Sequence, residues 1–484
     1  MDTDVLICGA GPTGLALAIE LARRNIAFRL IDKAPGPFTG SRGKGLQPRT
    51  LEVFEQMGVA DRIVAAGGSY PPLRTYAANG TFSESLVDER RPASPAEPYG
   101  QIVMLPQFTT EGVLRDRLAE LGHAAEFGAE IIRLQSGKHE VKARVRTAKG
   151  EQTIRARYLV GADGGRSFVR QALTVGFPGE GLGLRAIVAD LHIDGLDRDA
   201  WHRWGSGPLS QLALCPLAGT DLFQLQAPVP AETEPDITLP ALQALVRERT
   251  GRDDIRVRDV SWASAYRGSA RLAERYVIGH VILAGDAAHV HPPTGGQGLN
   301  TSVQDAWNLG WKLAMVLHGG PDLLASYEAE RREVAAGMLG LSLKLLDDAR
   351  KSTHMRRDRT TQQLDIGYVD SPLSLDTRQR GLPAGARAPD APCLGAGGQR
   401  SRLFQLFGAH WTLLAYESEA AITPRAGLRI HHVGRDLIDD GGHIAAAYDF
   451  APGDLALIRP DGYVGAMLAG PGGLDAYLRR VGLG

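Results

Sequence analysis

The chain has 484 residues, 43% of them hydrophobic, and its 54 Lys and Arg residues nearly balance 55 Asp and Glu residues, for a formal net charge of -1. This composition suits a large buried core and excludes binding to nucleic acid or acidic membranes through a global positive field. Cys8, Cys215 and Cys393 form no CxxC pair, which excludes a disulfide framework or zinc ribbon. No stretch reaches the roughly 18 apolar residues of a transmembrane helix, and the start lacks a basic n-region, so we expect a cytoplasmic protein with no membrane partner.

The first legible stretch, DVLICGAGPTGLALAIELARRNIAFRLID at 4–32, predicts a strand, a glycine turn, a helix and a second strand. In this context the GxGxxG motif predicts pyrophosphate binding. The first glycine allows the tight turn, the second lets backbone approach the ligand, and the third lets the helix pack on the strand. Helix N–H groups then face the phosphates, and the acid that ends the second strand accepts a ribose hydroxyl. The residues of this expected ADP site are Gly9, Gly11, Pro12, Thr13, Gly14, Asp32 and Lys33.

Two later stretches also run from an apolar strand into glycine and aspartate. YLVGADGG at 158–165 reaches Asp163, and YVIGHVILAGDAAH at 276–289 reaches Gly285 and Asp286. Such junctions deliver backbone to a ligand at the carboxyl edge of a sheet. Because the junctions lie far apart, they predict a nucleotide domain interrupted by an insertion at about 176–270, where short β-like runs indicate an antiparallel sheet.

The loop GDAAHVHPPTGGQGLN at 285–300 allows two interpretations. His289 and His291 lie two residues apart and could bind a metal, but a stable site needs three or four ligands and the sequence offers no obvious others. We therefore favour histidines that cap or pack the loop, and we expect no metal. The glycines precede a long amphipathic helix, so its N–H groups and bare backbone can meet a flat, partly negative ligand. Together with the ADP site, this pattern favours FAD.

The last part of the chain changes in composition. Residues 370–392 are rich in Pro, Gly and polar residues, which predicts a linker before a C-terminal domain at 393–484.

Several of these stretches together resemble the single-component FAD-dependent aromatic hydroxylases, and within them the phenol and aromatic polyketide hydroxylase branch. They are GAGPTG at 9–14, SRGKGLQPRTLEVFEQMG at 41–58, LPQFTTEGVLRDRL at 105–118, GADGGRSFVR at 161–170 and GDAAHVHPPTGGQGLNTSVQDAWNLGWKLA at 285–314. The resemblance spans about residues 1–340 in the expected order.

The resemblance implies an α/β fold with three parts. A discontinuous Rossmann-like FAD-binding domain comprises 1–175 and 271–369, and its first part contributes residues around 70–100 to the substrate domain. The inserted substrate domain at 176–270 is a mixed β-sheet, and the C-terminal domain at 393–484 is thioredoxin-like. Since that domain holds only Cys393, it cannot cycle between dithiol and disulfide, and we expect a role in packing or oligomerisation.

The resemblance also assigns cofactor contacts. Arg42, Gln107 and Asp163 contact FAD, Arg115 lies near the same moiety, and Asp286 belongs to the ribityl-binding motif that Gly285 begins. The residues expected to line the isoalloxazine are Pro293, Gly295, Gly296, Gln297, Gly298, Leu299 and Asn300.

The implied reaction is hydroxylation of an electron-rich aromatic ring, phenolic or of polycyclic polyketide type. In this family NAD(P)H docks transiently and reduces non-covalently bound FAD, O2 adds to form a flavin C4a-hydroperoxide, and its distal oxygen is transferred. No second dinucleotide motif follows a strand, which fits transient docking. We identify no catalytic nucleophile; the candidates for orienting or deprotonating the substrate are His202, Arg203, Gln224 and Tyr266.

Other functions stay open on the sequence alone. A Baeyer-Villiger oxygenase or epoxidase could use the same scaffold, and a flavin-binding protein could lack turnover. WHRWGS at 201–206 lacks the Ile-Pro of the halogenase signature. The chain is expected to act as a monomer or homodimer.

Overall fold

A computed structural model of the chain describes residues 1–207, 209–232, 234–292, 294–351 and 357–484. Its helices are α1 (Pro12–Ala22), α2 (Pro48–Met57), α3 (Ala60–Ala66), α4 (Gln107–Glu120), α5 (Phe168–Ala172), α6 (Leu239–Thr250), α7 (Gly298–Leu317), α8 (Leu324–Lys351), α9 (Leu403–Leu406), α10 (His443–Tyr448) and α11 (Leu474–Arg480). Within the described ranges, no helix has both the length and the hydropathy that crossing a membrane requires.

The strands up to the end of the second sheet are β1 (Thr3–Cys8), β2 (Phe28–Asp32), β3 (Gly45–Leu46), β4 (Leu73–Tyr76), β5 (Phe82–Ser85), β6 (Val103–Met104), β7 (Ala125–Phe127), β8 (Glu130–Ser136), β9 (Val141–Thr147), β10 (Gly150–Gly161), β11 (Gly179–Asp194), β12 (Trp201–Trp204), β13 (Leu212–Pro216), β14 (Leu222–Val229), β15 (Arg256–Leu272), β16 (Val277–Ile278), β17 (Val281–Leu283) and β18 (His289–Val290). The strands of the C-terminal part are β19 (Leu375–Asp376), β20 (Pro392–Gly395), β21 (Arg400–Arg402), β22 (Trp411–Tyr416), β23 (Leu428–Val433), β24 (Leu437–Ile438), β25 (Leu455–Ile458) and β26 (Val464–Leu468).

The first sheet brings the three strand-to-glycine junctions together. Strands β17, β10, β1, β2 and β7 run parallel in that order. Antiparallel β16 pairs with β17, and the β8–β9 hairpin pairs with the first half of β10. Cys8 lies opposite Gly161, and Gly161 lies opposite Leu283, so the carboxyl ends of β1, β10 and β17 meet at one edge. The chain between β10 and β17 builds most of the second sheet.

The second sheet has the order β18-β15-β11-β14-β13-β12-β4-β5. Adjacent strands in this sheet are antiparallel to each other, except that β12 and β4 run parallel. Strands β4 and β5 come from the region around 70–100. One face packs on α6 through an apolar cluster that includes Ile187, Leu225 and Leu242. The other face meets the segment after β2, where a Cβ built on Gly40 would lie 2.2 Å from the Trp262 ring.

The third sheet has the order β19-β26-β25-β22-β23-β24-β20-β21. Here the structure differs from the predicted linker at 370–392, because β19 pairs in parallel with β26. Arg378 also donates to the carbonyl oxygens of Tyr448 and Asp449 at 3.2 and 3.1 Å. Backbone pairing with a distant strand and one arginine hold a segment whose composition indicates a loop. Leu375 and Asp376 of this segment therefore belong to the C-terminal sheet.

Buried charges join the third sheet to the first part of the molecule. Lys312 of α7 donates to Glu330 of α8 at 2.6 Å, and Arg459, between β25 and β26, donates to Glu330 at 2.8 and 2.9 Å. Asp461 accepts from Arg459 and, at 2.9 Å, from the indole N–H of Trp311. All of these side chains are buried. Helix α7 is consequently enclosed on both sides, by α1 and by the third sheet.

Removal of the Glu330 carboxylate should destabilise the protein strongly. Glu330→Ala leaves the ammonium of Lys312 and the guanidinium of Arg459 buried without this partner, which typically costs about 3–5 kcal/mol in free energy of unfolding. Urea unfolding of the variant and the wild type measures the difference. Glu126→Ala is the matched control, because its 2.6 Å pair with Arg29 is half exposed and should contribute less than about 1 kcal/mol. Equal losses in the two variants would contradict the anchoring role of Glu330.

Candidate functional site

The turn between β1 and α1 has the geometry of a pyrophosphate site. Gly9 has φ +110°, and a Cβ built on it would lie 2.2 Å from the carbonyl oxygen of Ala162. A Cβ on Gly14 would lie 1.8 Å from the carbonyl oxygen of Gly9, so α1 packs directly on the turn. A Cβ on Gly11, in contrast, meets no described atom within 4 Å. Backbone is therefore accessible at Gly11, beside the N–H groups that follow Pro12 in the first turn of α1.

Asp32 lies beside this turn at the end of β2. Its two carboxylate oxygens accept the backbone N–H groups of Ala10 and Ala34, each at 2.8 Å. These bonds fix the half-buried carboxylate, and each oxygen keeps a second lone pair for a donor such as a ribose hydroxyl. The next residue, Lys33, is exposed.

One face of α4 carries a polar row that approaches the same region. Gln107 accepts from the backbone N–H of Gly43 at 3.2 Å and donates to Glu111 at 2.8 Å. Arg115 Nη1 lies 3.6 Å from Glu111 Oε2. Burial raises the pKa of Glu111 to about 7, although Gln107 and Arg115 both lower it. Gln107 and Arg115 were predicted from the sequence but Glu111 was not, although it lies four residues from each of them on one helix face.

Asp163 lies at the second junction, at the end of β10. One carboxylate oxygen accepts from the backbone N–H of Val169 at 3.1 Å. The other oxygen, Oδ1, is buried and has no hydrogen-bond partner among the described residues. Burial raises the pKa of Asp163. An unpaired buried acceptor at the carboxyl edge suits a ligand that carries hydroxyl or N–H donors.

The third junction packs directly on the first. Gly285 has φ +63°, and a Cβ built on it would lie 2.3 Å from the hydroxyl oxygen of Thr13. Asp286 follows, and its side chain is accessible even though protein surrounds much of its carboxyl group. Burial raises the pKa of Asp286, while His289 and Arg42 oppose the rise. This combination describes a carboxylate that lines a concave surface.

The two histidines of the loop bond to each other and to a buried acid. His289 Nε2 lies 2.6 Å from Asp305 Oδ2, and His291 Nε2 lies 3.0 Å from His289 Nδ1. Asp305 also accepts from the backbone N–H of Gly285 at 3.0 Å and from Arg331 Nε at 2.7 Å. Both ring nitrogens of His289 are thus used to hold the loop in place. In the described part of the chain, no group of three or more His, Cys, Asp or Glu side chains is arranged to bind a metal ion.

The glycine loop before α7 presents backbone rather than side chains. Gly295 and Gly296 have φ of +77° and +66°. Gln297 is buried, donates to the Gly295 carbonyl oxygen at 3.0 Å and accepts from Gln363 at 2.6 Å. Its side chain therefore braces the loop from inside. The N–H groups that begin α7 at Gly298 are left for a ligand, as at any helix N-terminus.

Asn300 joins this loop to the segment at 45–47. Its amide accepts from the backbone N–H of Gln47 and donates to the Gly45 carbonyl oxygen, both at 2.8 Å. Leu299 packs against Gly43, just before this segment: a Cβ built on Gly43 would lie 3.2 Å from Leu299 Cδ1. Pro293, also predicted to line the isoalloxazine, lies outside the described residues.

The second sheet meets the first part through a row of side chains that are buried except for half-buried Trp262. Trp262, Asp190, Gln224 and Cys215 lie side by side on β15, β11, β14 and β13. Gln224 donates to the carbonyl oxygen of Ser41 and accepts from Lys44 Nζ at 2.7 Å. The next row toward the open end of this face holds Ser264, Val188, Gln226, Ala213, Arg203 and Thr75.

Arg203 and Tyr266 belong to this face, because side chains alternate along a strand. Arg203 donates to Thr75 at 3.1 Å. Tyr266 is half exposed, yet enough protein surrounds its phenol that burial raises its pKa to about 12. The exposed guanidinium of Arg42 reaches the same face, with Nη2 3.4 Å from the Ser264 hydroxyl. These groups border a cleft between the second sheet and the loops of the first.

His202 does not face this cleft. Its Nε2 donates to the Asp197 carbonyl oxygen at 2.9 Å, its Nδ1 lies 2.9 Å from the Tyr76 hydroxyl oxygen, and the ring stacks with Trp204. Trp204 belongs to the apolar cluster under α6, on the opposite face of the sheet. The sequence places His202 and Arg203 next to each other, and strand alternation then separates them.

Comparisons with known proteins agree with this geometry. Residues 2–342 match the model of the family described as FAD binding domain. A flavin-dependent monooxygenase of Mycobacteroides abscessus is 44% identical over 495 aligned positions that cover 99% of each chain. An aklavinone 12-hydroxylase of Streptomyces purpurascens is 31% identical and also covers 99% of each chain. A crystal structure of aklavinone-11 hydroxylase with FAD and aklavinone superposes with a TM-score of 0.84 at 27% identity and 99% coverage of both chains.

Substitution of two glycines in the first turn should separate ligand binding from folding. Gly11→Ala should fold like the wild type, because its methyl group meets open space, but the methyl occupies the side from which the pyrophosphate approaches, so FAD affinity should fall. Gly14→Ala should lower the melting temperature, because its methyl would lie 1.8 Å from a backbone oxygen. Thermal unfolding of FAD-free protein and FAD titration measure both effects. A Gly11→Ala protein that binds FAD normally would contradict the assignment.

Protonation of Glu111 should make the stability of FAD-free protein depend on pH. Burial raises its pKa from 4.5 to about 7, so its stabilising contribution is full below about pH 4.5 and is lost as pH rises through about 7. The side chain in Glu111→Gln stays neutral at every pH. Between about pH 4.5 and 7 the variant should therefore gain free energy of unfolding relative to the wild type, by at most about 3 kcal/mol. Urea unfolding at several pH values measures the difference. A flat profile for Glu111→Gln would refute the shift.

Proposed function

The chain belongs to the FAD-dependent monooxygenases of the aromatic hydroxylase family, and we propose that it hydroxylates an electron-rich aromatic substrate with NAD(P)H and O2. FAD is its cofactor. The proposed substrate is phenolic or a polycyclic ring system of polyketide type, in keeping with relatives named for aklavinone and for 6-methylpretetramide.

The observation that carries the proposal is the position of the segment at 41–47. On one side, Gln47 and Gly45 bond to Asn300 at the start of α7. On the other side, Ser41 bonds to Gln224 of the second sheet. One short segment thus joins the loop proposed for the flavin ring to the sheet face proposed for the substrate. This connection supports the proposal that a ring bound on that face lies near the flavin.

The residues proposed to hold FAD suit its parts. The turn around Gly11 and the start of α1 suit the pyrophosphate, and Asp32 suits a ribose hydroxyl. The accessible carboxylate of Asp286 and the unpaired Oδ1 of Asp163 suit hydroxyl groups of the ribityl chain or ribose. The bare backbone of the glycine loop and the positive end of α7 suit a flat ring that takes up negative charge.

When FAD is bound and reduced, it supplies the activation of oxygen. The work proposed for the chain is to bind, to orient and to exclude water. Buried Arg203 and half-exposed Tyr266 are proposed to present a charge and a hydroxyl to the substrate from this sheet face. Gln224, whose amide is bonded to Ser41 and Lys44, acts as a positioning residue rather than as a substrate contact.

For the C-terminal part we propose a thioredoxin-like domain without redox function. Its thiol, Cys393, is buried, and burial raises its pKa to about 11. The thiolate is the reactive form of cysteine, so a thiol with this pKa is inert near neutral pH. The domain instead supports α7 through Arg459 and Asp461.

The experiment that tests the function is a screen of phenols and polycyclic quinones with the FAD-loaded enzyme. We expect at least one compound to accelerate NAD(P)H oxidation and to yield a product one oxygen heavier. A ring-expanded ester or an epoxide as product would instead identify a Baeyer-Villiger oxygenase or an epoxidase. A protein that binds FAD but never oxidises NAD(P)H would be a binding protein without turnover.

Variants of the sheet face should alter coupling rather than cofactor retention. With a substrate from the screen, Arg203→Leu or Tyr266→Phe should raise peroxide formed per NAD(P)H, because a displacement of about 1 Å can slow transfer on the order of a hundredfold while peroxide loss needs no alignment. His202→Leu is the matched control, since His202 lies on the opposite face and should affect stability instead. Peroxide, product and NAD(P)H are measured in one reaction. Unchanged coupling in both test variants would place the substrate elsewhere.

A further inference from the structure

Gln226 was not among the residues singled out from the sequence, and its surroundings are unusual. It lies on β14 two residues after Gln224, so both side chains project from the same face of the sheet. Gln224 is fully buried, whereas Gln226 is half exposed in the row that contains Ser264 and Arg203. Gln226 is therefore the first amide that a ligand in the cleft can reach.

The orientation of the Gln224 amide is fixed by its partners. The carbonyl oxygen of Ser41 can only accept, so the group that faces it must be the Nε2 donor of Gln224. On the other end, Lys44 Nζ donates to Gln224 Oε1 at 2.7 Å and lies 4.3 Å from the centre of the Trp201 ring, a position that suits an ammonium. A rotated amide would place two acceptors together at Ser41.

The fixed orientation of Gln224 also fixes the orientation of the Gln226 amide. Gln226 Nε2 lies 2.7 Å from Gln224 Oε1. Because Gln224 Oε1 is an acceptor, the group that faces it must be a donor. Rotation of the Gln226 amide would set two carbonyl oxygens against each other. Gln226 Oε1 is therefore held away from Gln224, and no described residue donates a hydrogen bond to it.

From this geometry we infer that Gln226 is a specificity-determining residue, whose Oε1 accepts a hydrogen bond from a hydroxyl group on the substrate ring. The inference rests on the proposed function and narrows the range of substrates. The pocket then selects rings that carry a free hydroxyl over rings in which the same oxygen is alkylated. A hydrogen bond from the hydroxyl to Oε1 also shifts electron density toward the ring, which favours attack on electrophilic oxygen.

The test uses a matched pair of probes, 1-naphthol and 1-methoxynaphthalene, bound to the oxidised FAD-loaded enzyme. Both oxygens can accept a hydrogen bond from the remaining N–H of Gln226, but only naphthol can donate one to Oε1. Binding is followed by the change in flavin absorbance. We expect the wild type to bind naphthol about tenfold more tightly than its methyl ether, the effect of one hydrogen bond.

The variants separate acceptance of a hydrogen bond from general packing. Gln226→Met keeps the length of the side chain without the amide and should reduce the preference to within about twofold. Gln226→Glu keeps acceptor oxygens but lacks the N–H that bonds to Gln224 Oε1, so it should retain only part of the preference for naphthol. Gln171→Met, at an exposed glutamine outside the sheet, is the control and should behave like the wild type. All four proteins should retain FAD equally.

Two results would overturn the inference. One is a wild type that does not distinguish the probes, including one that binds neither. The other is a Gln226→Met protein that retains the full preference. These outcomes are independent of turnover, because the oxidised enzyme is used without NAD(P)H. Failure of the proposed function would instead appear as absence of an oxygenated product in the substrate screen, whatever the binding preference.

Discussion

Asp305 is a fully buried carboxylate on which donors from three segments converge. The backbone N–H of Gly285 comes from the third junction, His289 comes from β18, and Arg331 comes from α8. Burial raises the pKa of Asp305, but His289 and Arg331 together lower it by more than burial raises it. The net shift is downward, and the group stays ionised. An ionised buried carboxylate is strongly destabilising unless its donors remain in place. The loop that bears Asp286 is consequently held in one shape before any ligand arrives.

Much else in the site follows from that constraint. Because Gly285 is fixed, it packs on Thr13 and aligns the third junction with the first. Because His289 is fixed, β18 continues into the second sheet by pairing with β15. The segment at 41–47 closes the arrangement from the other side through Asn300 and Gln224. Buried polar groups whose hydrogen bonds are satisfied in this way restrict the site to one geometry, and this effect is larger than their contribution to stability.

The sequence allowed prediction of the features that depend on local pattern. The first strand-helix-strand unit and its three glycines follow from spacing within 30 residues, and β1, α1 and β2 are found there. The convergence of Asp163 and Asp286 on one edge could also be predicted, because parallel strands align their carboxyl ends. The family and its cofactor, which the motifs implied, are confirmed by the comparisons.

Other features depend on contacts between distant residues, which spacing does not reveal. Asp305 and Arg331 are ordinary charged residues on helices until the fold buries them together. The raised pKa of Glu111 arises only when the fold buries its carboxyl group near Asp32. His202 looked like a substrate residue because imidazoles often serve in catalysis, but the register of β12 turns it toward Trp204. Residues 370–392 looked like a linker because a strand as short as β19 leaves no alternation to detect.

The buried charges behind α7 connect the C-terminal part to the site in mechanical terms. The N-terminus of α7 follows the glycine loop, while Trp311 and Lys312, in its last two turns, bond to Asp461 and Glu330. A helix is stiff along its axis, so support at one end limits displacement at the other. Arg459 bonds to Glu330 and Asp461 together, and thereby ties the third sheet to both long helices. A domain whose only thiol is buried can thus matter to the proposed flavin chemistry by holding fixed the helix end that we propose to face the cofactor.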